Sequence, residues 1–207
     1  MKIQVLCHSS IKIISNKIIY SDPFRIKEET HDADIILITH SHYDHFSEED
    51  IEKVKKENTK ICITNDLLER TISLGFIDDD VIVAEPNSSY EVLGIKINTI
   101  PAYNTNKKFH PKDNNWVGYI LNIESKKVYI AGDTDITEEN KKVKCDIALV
   151  PVGGTYTMTY NEAAELINYI KPKIAIPIHY GEIIGKKEDA IKFKDYIDKN
   201  TMVDIQI

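Results

Sequence analysis

The chain has little cysteine: three in 207 residues, at positions 7, 62 and 145. A scattered, odd set excludes a disulfide framework and a cysteine-rich zinc site. Each lies in or beside an apolar run, the setting of a small core residue. Cys7 abuts His8, but neighbouring strand residues point to opposite faces, which argues against a nucleophile–base pair. An excess of positive charge is also missing. Lys and Arg number 26 against 33 Asp and Glu, for a net charge of −7, so no broad footprint favours nucleic acid or an anionic membrane. Long apolar runs are absent too. IILI at 35–38 and IALVPV at 147–152 are far too short to span a bilayer. The opening MKIQVLCHSSIKIIS lacks the apolar stretch and cleavage site of a secretory signal. These absences lead to the expectation of a reduced, cytoplasmic chain with neither nucleic acid nor membrane as partner.

What is present is a globular composition, 42% hydrophobic and 29% charged, over a length suited to one core. No linker, low-complexity segment or short repeat interrupts it, so residues 1–207 are expected to form a single domain. Ile- and Val-rich segments separated by Ser, Asn and Asp-Pro turn signals predict strands at 3–6, 11–14, 17–21 and 34–39. Ser47 with Glu48, Glu49 and Asp50 predicts a helix start, and the helix is expected to run to about Asn58. A strand at 60–64 and a helix at 66–74, stopped by Gly75, follow. Strands are expected at 81–84, 90–93, 95–100, 116–123 and 127–131. The polar stretch 101–115 has no periodicity, and loops of that length in a compact domain are often functional. The last third alternates. A strand at 146–151 precedes a helix opened by the capping box Thr159–Glu162 and closed by Pro172. A strand at 173–178, a helix at 187–199 and a strand at 203–207 complete the chain. Strands first and strand–helix alternation later suit two facing sheets with helices outside.

Three of the seven histidines and one aspartate fall within His40-Ser41-His42-Tyr43-Asp44-His45, directly after the apolar run 35–39. Residues two apart in an extended segment point the same way, so His40 and His42 can aim at one metal. Asp44 and His45 lie further into the turn and can aim at a neighbouring point. Imidazole nitrogen with carboxylate oxygen suits zinc, iron, manganese or nickel. Two further clusters sit at strand ends. In Ala131-Gly132-Asp133, Gly132 allows close backbone approach and Asp133 offers a carboxylate that can bridge two cations. In Pro177-Ile178-His179 a histidine ends a strand. Either alone is a weak signal, but three ligand-type clusters at strand ends argue for one site.

These motifs, THSHYDHF at 39–46, AGDTD at 131–135 and PIHYGE at 177–182, resemble the metallo-β-lactamase superfamily. The nearest resemblance is to its short lactonase-like hydrolases, the group that includes ascorbate-6-phosphate lactonase. The resemblance implies an α/β fold, the four-layer αββα sandwich, with metals at one edge of two sheets. Carried over motif by motif, it implies that His40 and His42 bind a first metal. Asp44 and His45 face a second, Asp133 bridges, and His179 completes the second site. Where the superfamily places a further histidine this chain has Tyr103. His110 is the first candidate to replace it and His8 the other, with a contact to substrate the favoured role of His8. His31 is expected at the surface.

The expected cofactors are two divalent ions, zinc first, with manganese or iron as alternatives. The expected reaction is hydrolysis of a small lactone, ester or phosphodiester by metal-bound hydroxide. Water bound to such a cation drops from a pKa of ~15.7 towards ~7. Asp44 and Asp133 are the expected catalytic carboxylates, and no Gly-x-Ser-x-Gly nucleophile is present. An anionic substrate is compatible with net charge −7, because bound cations attract phosphate locally. Asn104, Lys107 and Tyr156 are candidate substrate contacts beside His8, while Lys108 reads as a solvated surface residue. Competing readings are a nucleic-acid phosphodiesterase of the same superfamily and a non-catalytic metal-binding or sensing module. The sequence leaves a homo-oligomer open.

Overall fold

The computed structural model describes residues 1–207. It divides into two compact units, Met1–Glu85 and Pro86–Ile207.

The first unit is a six-stranded mixed sheet in chain order: β1 (Lys2–Cys7), β2 (Ser10–Ile14), β3 (Ile18–Ser21), β4 (Ala33–Leu37), β5 (Lys55–Ile63) and β6 (Val81–Val83). The first two pairings are antiparallel and the last three parallel. Helix α1 (Glu48–Val54) connects β4 to β5, with the Ser47 side chain accepting from the Asp50 amide. Helix α2 (Leu68–Ser73) connects β5 to β6. Ile36, Ile38, Ile61 and Ile63 of the sheet pack with Ile51 and Val54 of α1 and with Leu67 and Phe76. The strands that carry this core are apolar on both faces, as parallel strands covered by helices must be.

Helix α1 stops four residues before the expected Asn58. Lys55 turns extended, with φ −63° and ψ 137°, and pairs with Ala33 as the first residue of β5. After Val54 the sequence Lys55-Lys56-Glu57-Asn58 offers no apolar residue to prolong the buried stripe of the helix. Thr59 instead anchors the segment to β4 by donating 2.7 Å to the Ala33 carbonyl, and Asn58 takes the left-handed conformation at φ 64°.

The second unit is a seven-stranded sheet. Its strands are β7 (Ser89–Val92), β8 (Ile95–Pro101), β9 (Val117–Ile123), β10 (Lys126–Ile130), β11 (Ile147–Pro151), β12 (Ile174–Ile178) and β13 (Met202–Val203), again neighbours in chain order. β7 to β10 pair antiparallel and β10 to β13 parallel. Two-residue turns with both φ values positive, Leu93-Gly94 and Glu124-Ser125, join the hairpins, the geometry that matches strand twist. Helix α3 (Tyr160–Ile170) carries the expected capping box and ends at Lys171, which is left-handed before Pro172. Helix α4 (Lys187–Asp195) ends four residues short of Lys199. The strand expected at 203–207 reduces to Met202–Val203, which pairs with Ile174 and Ala175 of β12. Ala163, Leu166 and Ile167 of α3 and Phe193 of α4 pack over Ala148, Val150 and Ala175.

In each sheet the parallel strands end at one edge. The carboxyl ends of parallel strands are where α/β sheets expose loops able to carry ligand-binding groups.

Candidate metal centre

In the first unit the site grows from β4. Its five residues are almost wholly buried, and Ile38 extends the ladder by donating to the Cys62 carbonyl at 2.8 Å. The chain then leaves the sheet with Thr39, and His40 to His45 follow as a turn closed by the His45 and Phe46 amides on the His42 carbonyl. His40 and His45 are buried, with ring centroids 4.0 Å apart. His42 lies beside them, its Nδ1 3.1 Å from His40 Nε2. His40 is therefore the common neighbour of the other two imidazoles. Tyr43 is the outlying member of the string, 66% exposed.

Asp22, which follows β3 directly, holds this cluster from below. Its carboxylate accepts from the Thr39 amide and hydroxyl, both at 2.8 Å, and lies 2.9 Å from His45 Nδ1. Burial pushes the Asp22 carboxyl up from the usual range, against the pull of His45 and Thr39. An acceptor at Nδ1 keeps the proton there and turns the Nε2 lone pair towards a metal, the usual carboxylate–histidine support of a metal ligand. Sequence reading treats Asp22-Pro23 as a turn signal. The signal that reveals its role is sheet register, since Ser21 pairs with Leu37 and so brings the residues after the two strands together.

Asp44 receives two nitrogens. His8 Nε2 and His45 Nε2 each lie 3.5 Å from Asp44 Oδ2. His8 follows β1, has φ 53° and is wholly buried. The structure places it against the Asp44 carboxylate. His31 is exposed, as expected, with Nδ1 2.8 Å from the Lys55 carbonyl.

In the second unit the donors come from three separate loops. Asp133 follows β10, His179 follows β12 at φ 59°, and His110 lies between β8 and β9. All three are buried. Asp133 Oδ2 lies 3.2 Å from His110 Nε2 and 3.0 Å from His179 Nε2. His110 packs edge-on against Trp116, centroids 5.6 Å apart. Gly118 and Gly153 make room for this arrangement. A Cβ at Gly118 would stand 2.6 Å from the Ala131 carbonyl oxygen, and one at Gly153 would stand 2.2 Å from that of His179.

Tyr103 turns away to the surface. Its hydroxyl donates 2.8 Å to Glu139, and Lys112 bonds both groups at 3.3 and 2.9 Å. The Lys112 ammonium holds the Glu139 carboxyl down to about 2. Asn104, a candidate substrate contact, is bonded to His110 and to the Tyr156 carbonyl. Lys107, the other candidate contact in this loop, is also bonded within the chain. Its ammonium sits 2.5 Å from the buried Asp135 carboxylate, which also accepts from the Thr105 amide at 2.9 Å. This pair of lysine and buried carboxylate fastens the loop. Tyr156 is half-buried and meets Phe109 edge-to-face at 4.6 Å.

The three cysteines are free, and burial pushes the Cys62 and Cys145 thiols up to about 12. The grouped donors are imidazole and carboxylate, with no cysteine among them. At Asp133 a carboxylate oxygen faces two imidazole nitrogens at about hydrogen-bond distance, a grouping that suits a divalent cation.

Comparison with known proteins agrees with this chemistry. The family model described as "Beta-lactamase superfamily domain" matches residues 2–179. A UPF0173 metal-dependent hydrolase of Thermococcus kodakarensis is 31% identical over 100% of this chain and 96% of its own. One from Thermococcus onnurineus is 30% identical over 95% and 92%. The crystal structure of a candidate metal-dependent hydrolase from Parabacteroides distasonis superposes with a TM-score of 0.83 at 33% identity, covering 99% of this chain and 91% of that one. The expected α/β metallo-β-lactamase fold is therefore the fold of the chain, and the chain belongs to the metallo-β-lactamase superfamily as one of its metal-dependent hydrolases.

Proposed function

We propose that these donors hold two divalent cations, zinc first and manganese or iron as alternatives. The centre would hydrolyse a small lactone, ester or phosphodiester, anionic substrates included. His40, His42, Asp44 and His45, with His8 beside them, would supply one part of the ligand set; His110, Asp133 and His179 would supply the other. The observation that carries this reading is the anchoring of the histidines. His45 has its Nδ1 on Asp22 and His110 its Nδ1 on Asn104, so each keeps Nε2 turned to a carboxylate.

Divalent cations supply acidified water and polarise the bond to be broken. The residues of the chain do the rest. Asp44, 8% exposed, offers a carboxylate oxygen that can accept a proton from attacking water. Asp133 would serve as a bridging carboxylate, which a structural zinc site closed by four ligands does not need. That argues for catalysis over a sensing module. Net charge −7 favours a small-molecule substrate over nucleic acid.

The test is a panel of 4-nitrophenyl acetate, a short-chain lactone and bis(4-nitrophenyl) phosphate, with and without chelator. Chelator-sensitive turnover of at least one, abolished in Asp44→Asn, is expected. Tight metal binding with turnover of none would support the sensing module instead.

A further inference from the structure

We infer that Asn104 is a positioning residue: it fixes the tautomer of His110 and ties that histidine to the Tyr156 loop. The argument is one of hydrogen-bond accounting. Asn104 Oδ1 lies 3.0 Å from the His110 backbone nitrogen, which can only donate. Asn104 Nδ2 lies 2.9 Å from the Tyr156 carbonyl, which can only accept. These two partners settle which end of the amide is oxygen, a choice that electron density alone seldom makes. The His110 ring nitrogen 3.1 Å from the same Oδ1 must then donate, so His110 carries its proton on Nδ1. Nε2, 3.2 Å from Asp133 Oδ2, is left as the metal-facing atom.

The same side chain spans two loops. Its own amide donates to the His110 carbonyl at 2.8 Å, closing the segment 104–110 on itself. Its carboxamide reaches across to the loop after β11. Phe109 and Tyr156 meet edge-to-face between the same two segments. Gly153 in that loop lies against the His179 carbonyl. Asn104 therefore ties the segment that carries His110 to the loop that lies against His179. In a chain with Tyr103 at the usual ligand position, the neighbouring Asn104 supplies what makes a histidine seven residues on serviceable.

This inference rests on His110 being a metal ligand, and its test uses zinc alone, so it is separate from the choice of substrate. Zinc affinity is measured by competition with a chromophoric chelator for wild type, Asn104→Leu, His110→Ala and the double variant, with Asn104→Asp as the conservative change. Asn104→Leu should weaken one bound zinc by about 10–100-fold, the usual effect of removing the partner of a ligand histidine. Asn104→Asp, which keeps the acceptor, should retain most of the affinity. On the His110→Ala background, Asn104→Leu should cost nothing further. An equal loss on both backgrounds, or no loss in Asn104→Leu, overturns the inference. Should the leucine variant not fold, nitrogen NMR of the wild-type His110 ring decides. Protonation at Nδ1 in the metal-free protein is expected, and the opposite tautomer contradicts the proposal. Failure of the ester and phosphodiester panel, with this pattern intact, would count against the proposed substrates alone.

Discussion

From β1 to β6 the strand pairings run antiparallel, antiparallel, parallel, parallel, parallel, and from β8 to β13 they run in the same sequence. Asp22 comes directly after the third strand of the first set, and Asp133 comes three residues after the third strand of the second. His8 follows the first strand of one set and Tyr103 comes two residues after the first strand of the other. Two sheets with the same pairing order nonetheless build their donors differently. The first unit concentrates four of them in one six-residue turn after β4. The second draws His110, Asp133 and His179 from loops far apart in sequence. A local turn needs one anchor, Asp22. A dispersed set needs several: Asn104 for His110, Gly153 for His179, and the Lys107–Asp135 pair for the segment between β8 and β9. The second unit should therefore be the more easily broken by changes outside the ligands themselves.

The largest expected effect removes a carboxylate common to either set. Asp133→Asn and Asp44→Asn should each lower turnover on the order of 10²–10⁴-fold, read as kcat on whichever panel substrate responds. Equal turnover in either variant would remove that carboxylate from the chemistry.

Next comes packing. Gly153→Ala puts a methyl group 2.2 Å from the His179 carbonyl oxygen and should cost about 1–3 kcal/mol of stability. His179 must shift, so metal content should fall as well. Thermal unfolding and metal analysis together check this, and an alanine variant with full stability and metal would refute the tight contact. Lys107→Met leaves Asp135 buried without its partner and should destabilise by about 3 kcal/mol, with KM unchanged. A raised KM at unchanged stability would restore Lys107 as a substrate contact.

Asp22→Ala sharpens the comparison from the other side. It removes the support of His45 and should weaken metal binding by about 10–100-fold. A loss far smaller than that from Asn104→Leu would mean that the local turn holds His45 without help.

The smallest effect is a pH dependence. Lys112 holds the Glu139 carboxyl down to about 2, below the ordinary glutamate value of ~4.3. Its contribution to stability is fully present above pH ~4.3 and is lost as pH falls through about 2. Acid titration of unfolding should show wild type losing stability faster than Glu139→Gln over that window. Parallel curves would mean that the Tyr103–Glu139–Lys112 contact contributes nothing.

Much of this architecture is legible from the chain. Ile- and Val-rich runs bounded by turn signals mark most strands, and the Ser47 cap and the Thr159–Glu162 box mark two helix starts where sequence places them. The histidine string is legible because its members are consecutive and follow a buried strand. The roles of Asp22 and Lys107, and the tie of Asn104 to the Tyr156 loop, are not, since each depends on a neighbour 17 to 52 positions away that only sheet pairing and loop packing bring close. Asp22-Pro23 reads as a turn, and Lys107 reads as a free cation, because sequence alone does not show that Asp135 is buried. The end of α1 fails for a related reason. Pairing of Lys55 with Ala33 outweighs the helix propensity of Lys55, Lys56 and Glu57.

The most direct test of the account is the metal content per chain of protein purified without chelators, for wild type and His110→Ala in parallel. About two divalent ions in the wild type and about one in the variant are predicted. One ion or none in the wild type would contradict the dinuclear centre, and two in both proteins would remove His110 from the ligand set.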